Sequence, residues 1–392
     1  MMKIAIITCG MLPIPAVQGG AVENLIDYYL EYNNNKKLYD ITVFSPWNHN
    51  VKNHPALCSD VNHYIYIDVT SFKAKIQRRI YKHFHSHEYY NYFIEYYFER
   101  VYKRLRNNHY DYILLENSPG HAYKLSRRGY HNLILHLHND LLNSKSRFHE
   151  CIANSLTKVI TVSDFINNRV STIVPKGKIQ TVYNGIDIHQ FSVKSHSGVC
   201  RQDLNFSDED FIIVYSGRIN KDKGISELID AILLLKDMPN TKLMILGSSF
   251  FDDTKNEDAF LFSLKKKARQ IDGNIVFTGF IPYSRVPDYL HLADIAVLPS
   301  MWEEPFGLTI VEAMASGLPL ITTKSGGIPE ICEGTAILID REHIVNHLAK
   351  AIRDLYEHPE KRRAMALASS ERAKSFSKED YAAAFFYALQ KA

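Results

Sequence analysis

Charged residues stand at chemically useful spacings in two loops of the chain. The segment Ser216-Gly217-Arg218-Ile219-Asn220-Lys221-Asp222-Lys223-Gly224 sets Arg218 and Lys223 near the end of the β-rich run 211–216. Two cations beside a helix start suit a diphosphate, because charge-assisted hydrogen bonds contribute ~1.5–3 kcal/mol each. A solvated basic loop is the plain alternative, and Lys221 reads that way. The order Gly-x-x-x-x-Gly-Lys-Ser/Thr is absent, so this is not a P-loop. The segment from Glu303 to Pro319 carries a pair of carboxylates. Pro305 and Gly307 make a turn, a helix starts near Leu308, and Gly317 and Pro319 end it. Glu304 precedes that helix and Glu312 lies about one turn in, eight positions on, so the pair brackets a helix N-terminus. A carboxylate accepts hydrogen bonds from sugar hydroxyls, and free amides at a helix start hold a phosphate. Taken alone, the segment also fits Glu304 as a cap and Glu312 as a solvated helix residue. A third loop, Gly19-Gly20-Ala21, follows the run 3–8 and leads into a helix from about Val22. Glycines let backbone amides approach a phosphate at a helix N-terminus, though a plain turn fits too.

These loops need elements to hold them. Short Val/Ile/Leu-rich runs occur at 3–8, 40–45, 64–67, 111–115, 132–138, 158–162 and 178–182. A second series follows at 211–216, 242–247, 274–279, 294–299, 318–323 and 336–340. The runs are continuous rather than alternating, which is the pattern of parallel strands covered on both faces. Helical patterns such as 224–236 and 259–271 lie between them. The alternation predicts an α/β chain of two doubly wound parallel-sheet units. Residues 189–210 are polar, without a strong period, and are read as the linker. In open α/β sheets the ligand sits at the carboxyl ends of the strands, so the chemistry is expected in a cleft between the two units.

Composition excludes several other classes. The net charge of +3 is too small to argue for nucleic acid. The cysteines Cys9, Cys58, Cys151, Cys200 and Cys332 are scattered with no Cys-x-x-Cys, which argues against zinc or a disulfide framework and fits a reducing cytoplasm. The uncharged stretch 4–22 is broken by Gly10, Pro13, Pro15, Gly19 and Gly20, so it reads as a buried strand and a loop rather than a membrane span or signal peptide. Asp208-Glu209-Asp210 stands at a strand start, away from the chemical loops, and reads as solvated. No metal site is expected. Residues 73–106 are distinctive, with nine Lys or Arg against three Glu among many Tyr and Phe. Phe93, Tyr97, Val101 and Leu105 recur there at helical spacing. A packed helix with a solvated basic face explains this segment. So does peripheral contact with an anionic membrane or a lipid-linked acceptor, which would place the chain at the inner face of the membrane.

Together the segments resemble glycosyltransferase family 4, the retaining group with the GT-B fold. Gly217, Arg218, Lys223 and Gly224 match its Gly-Arg-x4-Lys-Gly signature, and Glu304 and Glu312 its Glu-x7-Glu. Asn184-Gly185-Ile186-Asp187, Phe277-Thr278-Gly279-Phe280 and Gly326-Gly327-Ile328-Pro329-Glu330 match as well. The likeness covers most of residues 1–20 and 130–340 and is weak over 50–130. It implies two Rossmann-like domains, 1–190 and 205–374, facing across a cleft, with a last helix, 375–392, returning to the first domain. Tyr381, Phe385 and Leu389 share one face of that helix.

The resemblance also implies roles. Arg218 and Lys223, with Gly217, would hold the diphosphate of a nucleotide-sugar donor. Glu304 would bind donor-sugar hydroxyls, and Glu312 the ribose. Amides of Phe306, Gly307, Leu308, Gly19 and Gly20 would meet sugar and phosphate, and Phe280 and Ile281 would lie against the base. His138, in His136-Leu137-His138-Asn139-Asp140 after a strand, looks like the family's histidine beside the donor sugar. The implied activity is hexosyl transfer without a metal or other cofactor, from a UDP-sugar or alternatively a GDP-sugar, to a glycan or lipid-linked acceptor of surface polysaccharide. A nucleotide-sugar isomerase on a similar scaffold and a non-catalytic sugar-nucleotide-binding coat protein are the competing readings.

Overall fold

In a computed structural model, residues 1–84, 92–193, 198–248, 259–271 and 274–390 are described, with 92–94 by backbone alone. Phe93, placed above on a helix face, and residues 194–197 of the polar stretch therefore lie outside what is described. Every expected apolar run carries a strand. The first series gives β1 (Lys3–Ile7), β2 (Asp40–Pro46), β3 (Asn62–Ile67), β4 (Tyr112–Glu116), β5 (Leu133–Leu137), β6 (Leu156–Thr161) and β7 (Ile179–Thr181). They form a sheet in the order β3-β2-β1-β4-β5-β6-β7, parallel throughout. The second series gives β8 (Phe211–Ser216), β9 (Thr241–Leu246), β10 (Ile275–Gly279), β11 (Ile295–Leu298), β12 (Leu320–Thr323) and β13 (Ala336–Ile339). Their order is β10-β9-β8-β11-β12-β13, again parallel throughout.

The central strands explain the continuous apolar runs. Ile4, Ile6 and Ile7 in β1, and Ile212, Ile213 and Val214 in β8, are buried whichever way they point. Parallel neighbours need crossover connections, and helices such as Ala21–Lys36 and Ile225–Leu233 supply them. In each sheet the order reverses beside the first strand, between β1 and β4 and between β8 and β11. Loops leaving such neighbours run to opposite faces, which opens a crevice at the carboxyl ends.

The chain divides into two compact units, Met1–Gly185 with Lys378–Ala392, and Ile186–Ser377. The stretch read as a linker is thus counted with the second unit. Phe191 and Phe206 within it are buried, and Arg201 donates to Asp294 Oδ2 at 3.2 Å. The helix Lys378–Gln390 is counted with the first unit, and Tyr381, Phe385 and Leu389 are all buried. Phe385 stacks on Tyr29 at 4.2 Å between centroids, and Lys158 Nζ donates to Ala388 O at 2.6 Å. The basic segment forms the helices Phe72–Phe84 and Tyr92–Leu105, the second burying Tyr97, Val101 and Leu105.

Candidate functional site

In the second unit, the loops after β8 and β11 meet because those strands are neighbours, although 81 residues separate the side chains that touch. Lys223 Nζ donates to Glu304 Oε2 at 2.6 Å. Trp302 Nε1 and Ser300 Oγ donate to the same oxygen at 2.8 and 3.2 Å. The ammonium also lies 5.5 Å from the Trp302 ring centroid, within cation–π range. Backbone packing fixes this arrangement. A side chain on Gly224 would place its Cβ 1.8 Å from Pro299 O, so the lysine loop sits directly on the strand that leads to Glu304. A Cβ on Gly326 would lie 2.1 Å from Glu304 O, the carbonyl that accepts Gly327 N at 2.7 Å. The Gly326-Gly327-Ile328-Pro329 segment is therefore a clamp on the Glu304 backbone. Arg218, in the same loop as Lys223, is exposed, and Tyr215 Oη donates to its carbonyl at 2.9 Å.

The helix Leu308–Ala315 starts at Gly307, which occupies the N-cap position in the left-handed region. Gly307, not Glu304, is thus the cap, and Glu304 is instead the acceptor of the Lys223, Trp302 and Ser300 hydrogen bonds. Glu312 is not solvated either. It is 6% exposed, and burial pushes its carboxyl up to about 7 against a hydrogen bond with Tyr283. Phe306 turns its ring inward, edge to face with Phe376 at 5.8 Å. Phe280 is 42% exposed after β10, with Ile281 half-buried beside it.

In the first unit, Gly19 and Gly20 precede the helix Ala21–Lys36 with φ of 73° and 108°. Glu23 from the first turn folds over Gly20, where an added Cβ would lie 2.2 Å from its Oε2, while Gly19 stays open. Burial, with Glu116 and Asp27 nearby, pushes the Glu23 carboxyl up to about 7. The expected phosphate cradle is thus shared with an acid. Sequence reading passed it over because an acid in a first helical turn normally just complements the dipole.

His138 follows β5 and its side chain is 5% exposed. Its Nε2 lies 2.8 Å from Glu116 Oε2, at the end of β4. His136 Nδ1 lies 3.1 Å from the same oxygen, and Tyr29 Oη donates to Glu116 Oε1 at 2.9 Å. Burial alone would raise the Glu116 carboxyl, but the two imidazoles outweigh it and hold it well below the usual range. Burial and then His136 push the His138 imidazole down to about 4, against the pull of Glu116. Glu116, His136 and His138 also place ligand-type atoms within 4.8 Å of one another, a spacing a metal site needs. Only part of the signal for this cluster, the His136-Leu137-His138 spacing, was available in the sequence. Side chains two apart on a strand share a face, and Glu116 and His136 are Cα partners across β4 and β5.

Residues 199–372 match the family description "Glycosyl transferases group 1". Among curated relatives, YtcC of Bacillus subtilis (strain 168), named as a glycosyltransferase, is 29% identical over 90% of this chain and 82% of its own length. Spore coat protein SA of the same organism is 27% identical over 95% of both chains. Among solved structures, Anabaena HepE in complex with UDP and glucose aligns over all of both chains with a TM-score of 0.74 at 20% identity. At that identity the likeness speaks for the fold, two parallel-sheet units of GT-B type.

Proposed function

We propose that this chain is a retaining glycosyltransferase that takes a hexosyl group from a nucleotide diphosphate sugar, UDP-linked in preference to GDP-linked, without a metal ion. The observation that carries the reading is the Lys223–Glu304 pair, with Arg218 in the same loop as Lys223, at the strand-order reversal of the region that matches glycosyl transferases group 1. Breaking the bond between the anomeric carbon and the diphosphate leaves charge on the departing oxygen. Arg218, Lys223 and the amides of Phe306, Gly307 and Leu308 are suited to stabilise it. Glu304 accepts from donor-sugar hydroxyls, Glu312 from the ribose, and Phe280 and Ile281 flank the base. The acceptor hydroxyl attacks on the face the diphosphate leaves, and its proton passes to a departing phosphate oxygen. The UDP in the HepE complex supports the choice of base. A nucleotide-sugar isomerase would consume donor with no acceptor present, so acceptor-dependent consumption separates the two. Activity that survives a chelator supports the metal-free reading, and its complete loss overturns it.

We place the reaction in the cytoplasm, at a membrane surface. All five cysteines are unpaired. No described helix is long and apolar enough to cross a membrane. The helix Phe72–Phe84 instead carries Phe72, Ile76, Ile80 and Phe84 every four residues, 77, 44, 54 and 74% exposed. Lys73, Lys75, Arg79 and Lys82 are exposed around that stripe. Arg78, one of the segment's cations, is turned inward, its Nε donating to Ala74 O at 3.4 Å. An apolar stripe between cations suits the interface of an anionic bilayer, each surface cation contributing about 1 kcal/mol. Ile76→Ser with Ile80→Ser, and separately Lys75→Gln with Lys82→Gln, should each reduce sedimentation with phosphatidylglycerol vesicles. Unchanged sedimentation of both rejects the surface.

A further inference from the structure

The cluster around His138 fixes more than the position of the ring. Glu116 is fully buried, and its two oxygens face three groups: the Tyr29 hydroxyl, His136 Nδ1 and His138 Nε2. An ionised carboxylate only accepts hydrogen bonds. Each imidazole must therefore carry its proton on the nitrogen that faces Glu116. A neutral imidazole has one such proton, so the other nitrogen is a bare lone pair. Those other nitrogens, His138 Nδ1 and His136 Nε2, are buried with no partner. An orphaned buried N–H is rarer in folded proteins than an under-satisfied buried acceptor, which favours the lone pair on the outer nitrogen.

The surroundings leave little freedom to rearrange. Tyr29 is held by Phe385 stacked on its ring, 4.2 Å away and 4° from parallel. Phe385 also reaches the His136 ring at 5.4 Å. The His138 backbone is pinned by its N–H to Asn117 Oδ1 at 3.1 Å, with Asn117 itself in the left-handed region at φ 52°.

We propose that Glu116 is a positioning residue that locks His138 in the Nε2–H tautomer, so that His138 meets its ligand through Nδ1 as a hydrogen-bond acceptor for a sugar hydroxyl. This rests on the reading of His138 as a residue beside the donor sugar. The depressed basicity of the ring fits, since an acceptor that does not take the proton holds a hydroxyl without ionising it. A metal ion on the same three residues fits less well. It would take His136 Nδ1 and His138 Nε2 as ligands and leave protons on the two outer nitrogens. Metal-binding histidines donate that outer N–H to a partner, and neither ring has one here.

Nitrogen-15 NMR of histidine-labelled protein tests this directly, with the His138 signal assigned by its loss in His138→Gln. The ligand-free protein at neutral pH should show His138 as the neutral Nε2–H tautomer. Glu116→Gln, which offers an N–H₂ as well as a carbonyl, should shift His138 toward Nδ1–H or a mixture. UDP-glucose should then move the Nδ1 resonance of the parent protein. In turnover, His138→Asn, whose amide oxygen reaches the Nδ1 position, should retain at least tenfold more activity than His138→Gln. An Nδ1–H tautomer or an imidazolium in the parent protein overturns the proposal, as does stoichiometric Co²⁺ uptake that Glu116→Gln abolishes. If UDP-glucose raises the melting temperature but leaves Nδ1 unmoved, the proposal fails while the donor reading stands. If UDP-glucose does not bind, the donor reading fails and the tautomer in the ligand-free protein still decides the lock. Should Glu116→Gln not fold, the parent protein's tautomer is sufficient.

Discussion

Two carboxylates sit at equivalent places in the two sheets and live in opposite conditions. Glu116 ends β4, beside β1, and Glu304 follows β11, beside β8. Glu304 meets a permanent cation, and the two side chains stay 13% and 21% exposed. Glu116 meets two imidazoles and a tyrosine hydroxyl at 0% exposure. A part-open ion pair is exchangeable. A diphosphate can take over Lys223 and a sugar hydroxyl can engage Glu304, with water relieving whichever partner is released. A sealed carboxylate has no such relief, so its partners are fixed for the life of the fold. On the proposed reading, the same topology yields an exchangeable ion pair in one unit and a sealed carboxylate in the other.

The largest expected effect attacks that contrast directly. Glu116→Ala strands three buried donors and should cost roughly 3–5 kcal/mol of folding stability. Glu304→Ala releases three donors that water can partly reach and should cost less, roughly 1–3 kcal/mol. Urea unfolding of both variants compares them, and equal losses would erase the distinction between sealed and exchangeable sites. Next, Lys223→Ala should lower kcat roughly 10²–10³-fold, the usual effect of removing one donor to a developing oxyanion. A turnover assay that finds the rate unchanged removes Lys223 from the diphosphate site.

A smaller effect depends on pH. The raised carboxyl of Glu312 is protonated below about 7, and the ionised form is the stronger acceptor for the ribose hydroxyls assigned to it. Donor affinity should therefore weaken as pH falls, about tenfold at one unit below the midpoint. Glu312→Gln should flatten the dependence, and a parent profile that is already flat contradicts the ribose role. Because its folded pKa is raised, Glu312 adds stability that is complete below its ordinary range and lost as pH rises through about 7. The smallest effect is Tyr29→Phe, which deletes one of three hydrogen bonds to Glu116 and should cost about 1 kcal/mol in thermal unfolding.

Much of the fold was legible because buried parallel strands write themselves as unbroken apolar runs, as at Phe211–Ser216. The final helix was legible because Tyr381, Phe385 and Leu389 repeat every four residues. The loops were legible through residue types: glycines, cations and paired acids. What stayed hidden depended on strand order. Nothing in a periodicity says that Lys223 faces Glu304, or that Tyr29 and His136 converge on Glu116, until β8 is known to lie beside β11 and β1 beside β4. The burial of Glu312 was hidden for a local reason. Its neighbours Ile310, Val311, Ala313 and Met314 are all buried too, so the short helix has no polar face to mark which way an acid would point. Arg78, one of the nine cations of 73–106, is buried, which composition could not show because it does not distinguish the inner face of a basic helix from the outer one.

The central claim is that the Lys223–Glu304 pair holds a nucleotide diphosphate sugar. Thermal shift with a panel of nucleotide sugars, on the parent protein and on Glu304→Ala, tests it most directly. A ligand at 100 times its dissociation constant stabilises a fold by about 2.7 kcal/mol. The account predicts selective stabilisation by one sugar nucleotide, UDP-linked before GDP-linked, with the preference for the sugar lost in Glu304→Ala. No response to any nucleotide sugar, or an equal response in the parent and Glu304→Ala, would contradict it.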